Sequence, residues 1–274
     1  MIAIVTDSTI GLTKKEAAAY GVRIVPQNYI VNGKTYKETY FDSLGDFTSL
    51  INEPDAVTET RQPSVEDFYN AFNHLTNKGY EIICITISSR LSSAYYNAVL
   101  AKKQLASGRV EIIDSSLAAG GMYLLVRRAR YLVYNGLSFE EVVGGVYKYI
   151  SSIETRFSVD DLTLLRNSHR LSSVRKSVRN ILNRKPLLRL SGGAIVAEDI
   201  AIGSSDNIKK MFGSIPYNAA NIIIQYITHS QRVDTILRLA RRLFPDALVE
   251  RRQLGPVLGI HLGCTVIGIV WSIR

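Results

Sequence analysis

Hydrophobic positions in this chain fall into short β-branched runs separated by longer stretches of helical period, and that alternation is the first guide to its architecture. Ile82-Ile83-Cys84-Ile85-Thr86-Ile87 is the plainest run, with the pattern of a strand buried on both faces. Ser88-Ser89-Arg90-Leu91-Ser92-Ser93 follows, and a helix begins there. Hydroxyls and backbone N–H groups therefore collect where a strand ends and a helix starts. Such a junction suits an anion, because the first helical N–H groups lack internal partners and the helix dipole is positive there. The same residues also read as a simple helix cap, with Ser92 or Ser93 at the N-cap.

The pattern repeats on both sides of this stretch. Residues 1–5 read as a strand ending in Thr6-Asp7-Ser8-Thr9, and Thr13 with Glu16 has the spacing of a capping box for a helix closed by Gly21. Residues 22–29 resume a strand, and Asn32-Gly33 signals a hairpin into Lys34-Thr35-Tyr36. Pro63 forces Gln62 toward an extended conformation, so Thr60 lies on a fixed, extended segment before a helix capped by Ser64 and stopped at Gly79. The helix after Ser93 is expected to reach 107–108, followed by a strand over 109–113 with Asp114-Ser115 at its end. Gly120-Gly121 opens a long helix ending near Gly136, and Ser138 with Glu141 caps the next. Strands alternating with helices imply a parallel sheet covered on both faces, with its polar strand ends along one edge.

Beyond about residue 155 the pattern changes. A turn at Arg166-Asn167-Ser168-His169-Arg170 leads toward a basic helix that includes Arg175-Lys176-Ser177-Val178-Arg179, and Lys185-Pro186-Leu187-Leu188 with Gly192-Gly193 reads as a hairpin. Three more strands are expected over 221–228, 247–252 and 266–272, with a helix over 233–243. The prediction is therefore two domains: residues 1–155, α/β with a parallel sheet, and residues 156–274, a smaller α+β domain with a mixed or antiparallel sheet. Between the last two strands, three glycines at 255, 259 and 263 suggest tight turns that hold His261 in a defined place.

Composition narrows the function. At 274 residues and 46% hydrophobic, the chain can bury two cores, since domains usually run to about 100–150 residues. The start of the sequence shows no leader pattern, and no window approaches the ~18 apolar residues of a membrane span, so a soluble, cytoplasmic protein is expected. Cys84 and Cys264 have no metal or redox spacing and read as packed thiols. The net charge of +9 favours anionic partners, with cations concentrated in the second half. No Walker, G-x-G-x-x-G, zinc-finger or RNP motif is present, so no cofactor, metal or specific nucleic acid is expected. For covalent catalysis Ser92, His261 and Asp114 can be nominated, but there is no G-x-S-x-G elbow; a stand-alone serine hydrolase acting on acyl esters is the alternative function.

Several separated segments together resemble the DegV family, which includes the fatty-acid-binding subunits of bacterial fatty acid kinases. They are Thr6-Asp7-Ser8-Thr9, Thr60-Arg61-Gln62-Pro63-Ser64, Ser88-Ser89-Arg90-Leu91-Ser92-Ser93-Ala94-Tyr95, Asp114-Ser115, His169-Arg170-Leu171-Ser172, Lys185-Pro186-Leu187-Leu188, and Gly255-Pro256-Val257-Leu258-Gly259-Ile260-His261-Leu262-Gly263. The resemblance implies a DegV-like two-domain fold with a long-chain fatty acid held between the domains, and a lipid-binding protein, not an enzyme by itself. It implies carboxylate contacts from Thr60 and Ser92 with His261 near the head group; Arg61, a cation beside that site, and Ser93 are this chain's own further ligand-binding candidates. It also implies that Arg170 faces a partner, the ATP-binding subunit of a fatty acid kinase, to which the carboxylate is presented for acyl-phosphate formation. The basic second half would suit that partner or transient contact with an anionic membrane.

The chain departs from the family pattern at four places. Arg61 stands where Ser is common in T-S-Q-P-S, and Ser93-Ala94 where Gly-Thr is usual. His169 replaces the glycine before Arg170, and Gly263-Cys264-Thr265 replaces a late G-P-G.

Overall fold

Residues 1–173 and 184–273 are described by a computed structural model, and the chain divides into two units, Met1–Ser151 and Ser152–Arg274. The first unit runs β1 (Ile2–Asp7), α1 (Lys14–Tyr20), β2 (Val22–Val25), β3 (Gln27–Val31), β4 (Lys34–Glu38), α2 (Phe47–Ile51), β5 (Thr58–Arg61), α3 (Val65–Thr76), β6 (Glu81–Thr86), α4 (Ala94–Gln104), β7 (Val110–Asp114), α5 (Gly120–Tyr134) and α6 (Phe139–Ile150). The second runs β8 (Ile153–Ser158), α7 (Thr163–Asn167), β9 (Leu171–Ser173), β10 (Arg184–Ser191), β11 (Ala194–Ile202), α8 (Gly203–Phe212), β12 (Ala219–Tyr226), α9 (Gln231–Leu243), β13 (Leu248–Gln253), α10 (Pro256–Leu262) and β14 (Ile267–Ile273).

In the first unit β2-β1-β6-β7 form a wholly parallel sheet. Its strands are apolar because helices bury them; Phe68 and Phe72 of α3 and Met122, Leu124 and Leu125 of α5 are among the fully buried side chains. Three capping boxes fix the helix starts at Thr13/Glu16, Ser64/Asp67 and Ser138/Glu141. Pro26, which has no N–H to give a ladder, interrupts the strand expected over 22–29. β2 therefore joins the parallel sheet and β3 a separate one, β4-β3-β5. Asn32 and Gly33, at φ 50° and 78°, make the hairpin turn between β3 and β4.

The second unit carries a seven-stranded mixed sheet, β13-β12-β14-β8-β10-β11-β9. β12 and β13 run parallel with α9 between them, and β14 pairs antiparallel with both β12 and β8. The core on this sheet includes Ile222, Ile224, Ile236, Ile269 and Trp271. Residue 155 falls inside β8, and the whole of that strand belongs to the second unit because it is hydrogen-bonded between β14 and β10.

Three local expectations change. The helix after Ser93 stops at Gln104, where Leu105 turns extended. The glycine-rich span around His261 is a helix, α10, and not a set of turns: Pro256 is pre-set for its first position, and Gly263 ends it at φ 80°. The helix α8 was not anticipated; its polar, glycine-led start hides the spacing of Ile208, Met211 and Phe212. Most of the expected basic helix, with Arg175, Lys176 and Arg179, lies outside the described residues.

Candidate functional site

The β6–α4 junction is held from both sides by carboxylates at the ends of neighbouring strands. Asp7, at the end of β1, is fully buried and accepts from the Ile87 N–H at 2.7 Å, from the N–H and hydroxyl of Thr9, and from Gln27. Burial raises its pKa against the pull of those donors. Asp114, at the end of β7, accepts from the Ser89 N–H at 3.1 Å, the Ser89 hydroxyl at 2.5 Å and the Ser116 N–H at 2.9 Å. Ser88 is buried; its N–H donates to Leu117 O, and its carbonyl accepts from the N–H groups of Leu91 and Ser92. The loop is thus fixed before the first turn of α4.

Ser92 is half-buried and Ser93 exposed. Ser93 occupies the N-cap position without a side-chain cap bond, and the hydroxyl that accepts from the Ala94 N–H, at 3.2 Å, belongs to Ser92. Ser93 has φ −76°, open to any L residue, so the absence of glycine there imposes no backbone strain.

Thr60 lies on β5, at the edge of the small sheet and opposite Tyr29, whose ring stacks on Tyr36. Strand alternation sends Arg61 to the other face, where it is exposed beside Glu59 at 3.9 Å. Thr60 and Arg61 therefore present opposite faces of one strand. The Asn97 side chain of α4 donates to the Pro63 carbonyl at 2.8 Å and ties the Thr60–Ser64 corner to the helix that follows Ser92. Asn97 was not anticipated, and an asparagine in a helix carries no sequence signal for such a tie.

In the second unit Arg170 follows α7 and His261 lies in the last turn of α10; these two helices pack together. Arg170 Nη1 lies 3.3 Å from His261 Nδ1. Arginine only donates, so Nδ1 is an acceptor and the ring proton sits on Nε2. Burial, reinforced by the Arg170 charge, brings the His261 pKa down to about 3, which keeps the ring neutral at physiological pH. His169, one residue earlier, has φ 55°, the left-handed conformation that glycine adopts without cost.

This chemistry suits holding an anion better than attacking a carbonyl. A triad histidine needs a carboxylate on Nδ1 and a pKa near neutrality; His261 has an arginine there instead, and both Asp114 oxygens are engaged by the loop. Among the described residues, no helix is long and apolar enough to cross a membrane.

The family model described as "Uncharacterised protein, DegV family" matches residues 1–274, and the chain belongs to that family. A DegV domain-containing protein of Halalkalibacterium halodurans is 30% identical over 280 residues, covering 100% of this chain and 99% of the relative. Among solved structures, a fatty-acid-binding DegV family protein from Thermus thermophilus is 25% identical with a TM-score of 0.88, covering 100% of this chain and 99% of that one. DegV of Bacillus subtilis, also a fatty-acid-binding protein, superposes with a TM-score of 0.89 at 22% identity over 100% of this chain and 99% of its own.

Proposed function

We propose that this protein binds a long-chain fatty acid, with the acyl chain in an apolar tunnel between the two units and the carboxylate held by Thr60 and Ser92. Full-length likeness to the fatty-acid-binding protein of Thermus thermophilus is the observation that carries this reading. Burying the chain contributes about 0.8 kcal/mol per methylene, and the head group must then recover the hydrogen bonds it had with water. Hydroxyls and N–H groups at a helix start supply them without a nucleophile. His261 adds a neutral Nε2–H donor, and the charge of Arg170 behind it favours an anion. Ser93 borders the head group from the exposed side, and Arg61 contributes long-range attraction only, since it projects from the face of β5 opposite Thr60.

In this reading the protein is a carrier, not a stand-alone enzyme. It presents the carboxylate to a partner kinase for acyl-phosphate formation, and Arg170 neutralises charge on the transferring phosphoryl group. Native mass spectrometry of purified protein tests the binding step: C14 to C18 acids should co-purify and decline in Thr60→Ala and Ser92→Ala. A ligand-free protein that also ignores added fatty acid would refute it.

A further inference from the structure

The second unit also carries an apolar recess between α8 and α9. Ile208 and Phe212 of α8, Leu239 and Leu243 of α9, and Ile215 and Phe244 just after these helices enclose a recess of about 570 Å³. Phe212 and Phe244 stack with ring centroids 6.4 Å apart and form part of the hydrophobic core beneath it. Its rim is unusually open for apolar side chains: Tyr217 is 98% exposed and Leu243 46% exposed. The lining includes Lys209 and no carboxylate, and Arg238, Arg241 and Arg242 are exposed on α9. Lys210 of α8 is already paired with Asp199 and Asp206, whereas no ion pair holds Lys209, Arg241 or Arg242 among the described residues.

From this arrangement we infer that the α8–α9 groove docks an acidic amphipathic helix of a protein partner. The exposed Tyr217, the apolar lining and Lys209 match the composition of protein interface hot spots, and this cation, with the exposed arginines elsewhere on α9, calls for an acidic face opposite. The lining comes from helices and a loop, with no strand among it, so strand addition is not the mode of docking. Ser205 to Phe212 covers about 10 Å of helix axis, the length of two turns of a partner helix carrying apolar residues at three- and four-residue spacing. A bilayer surface fits less well. Membrane-seeking helices turn an apolar stripe outward, whereas the apolar stripe of α9, with Val233, Ile236, Leu237 and Ala240, is buried in the core. The inference does not depend on the fatty-acid reading.

Fluorescence anisotropy of a labelled peptide of about four helical turns, with leucines on one face and glutamates on the other, tests it on the full chain. A charge-swapped peptide bearing lysines and vesicles of phosphatidylglycerol are the comparison probes. The glutamate peptide should bind, about ten-fold more weakly to Leu243→Glu and about three-fold more weakly to Arg242→Glu, with weaker binding at high salt. Tyr217→Ala, which removes a side chain in full solvent and so leaves folding intact, should also weaken binding. Three results would each overturn the inference: no binding up to about 1 mM peptide, equal binding of the lysine peptide, or binding unchanged by all three substitutions. Vesicle binding that disappears in Leu243→Glu, while the peptide is ignored, would identify the groove as a membrane face instead.

Discussion

Replacing His261 by glutamine removes one titrating group and leaves an amide of similar reach beside Arg170, so stability against pH isolates what the imidazole does. The folded ring has a pKa of about 3, against 6.5 for an unperturbed one. As pH falls below 6.5 the unfolded chain takes the proton first, and folding must exclude it. Stability from this group is therefore complete above pH 6.5 and lost progressively down to about pH 3. Each pH unit in that window is worth about 1.4 kcal/mol, so about 2 kcal/mol is lost by pH 5. Urea denaturation at pH 7.5, 6 and 5 should show this extra loss in the wild type and not in His261→Gln. An imidazole titrating near pH 6.5 by NMR, or equal pH slopes for the two proteins, would refute both the neutral assignment and the donor role given to Nε2.

Other consequences are local. Asp114→Asn exchanges a charge-assisted bond for a neutral one, and should cost about 1–2 kcal/mol and speed hydrogen exchange at Ser89 and Leu91; unchanged exchange there would show that the strand-end carboxylate does not pin the loop. His169→Gly relieves a left-handed φ of 55° at the expense of chain entropy, and should raise stability by about 0.5 kcal/mol; a lowered melting temperature would contradict it. Ser138→Ala removes the hydroxyl that caps α6 and should cost about 1 kcal/mol in urea denaturation, while a neutral result would mean that Glu141 alone suffices.

Much of the architecture was legible because it rests on local chemistry. The strand-to-helix junction at 82–93, the hairpin at Asn32-Gly33 and the capping boxes at Thr13 and Ser138 each depend on a few adjacent residues. Elements settled by packing were harder to read. Ile208, Met211 and Phe212 make α8 helical by joining a core assembled from distant strands, and Pro256 converts an apparent glycine turn into α10. Within the candidate site, hydroxyls and strand-end carboxylates were visible as residue types, but their pairing was not. Nothing local foretells that Asn97 reaches Pro63 or that Arg170 rather than a carboxylate meets His261, whereas the turn of Arg61 away from Thr60 follows from alternation along the extended segment. The positive φ at His169 belongs to the tertiary arrangement and is likewise absent from the local sequence, since histidine carries no signal for a left-handed backbone.

The proposed carboxylate site is tested directly by ¹³C NMR of delipidated protein titrated with palmitate labelled at the carboxyl carbon. A separate bound resonance is expected at one equivalent, with its position and occupancy changed in Thr60→Ala and in Ser92→Ala. No bound resonance, or one that both substitutions leave untouched, would contradict it.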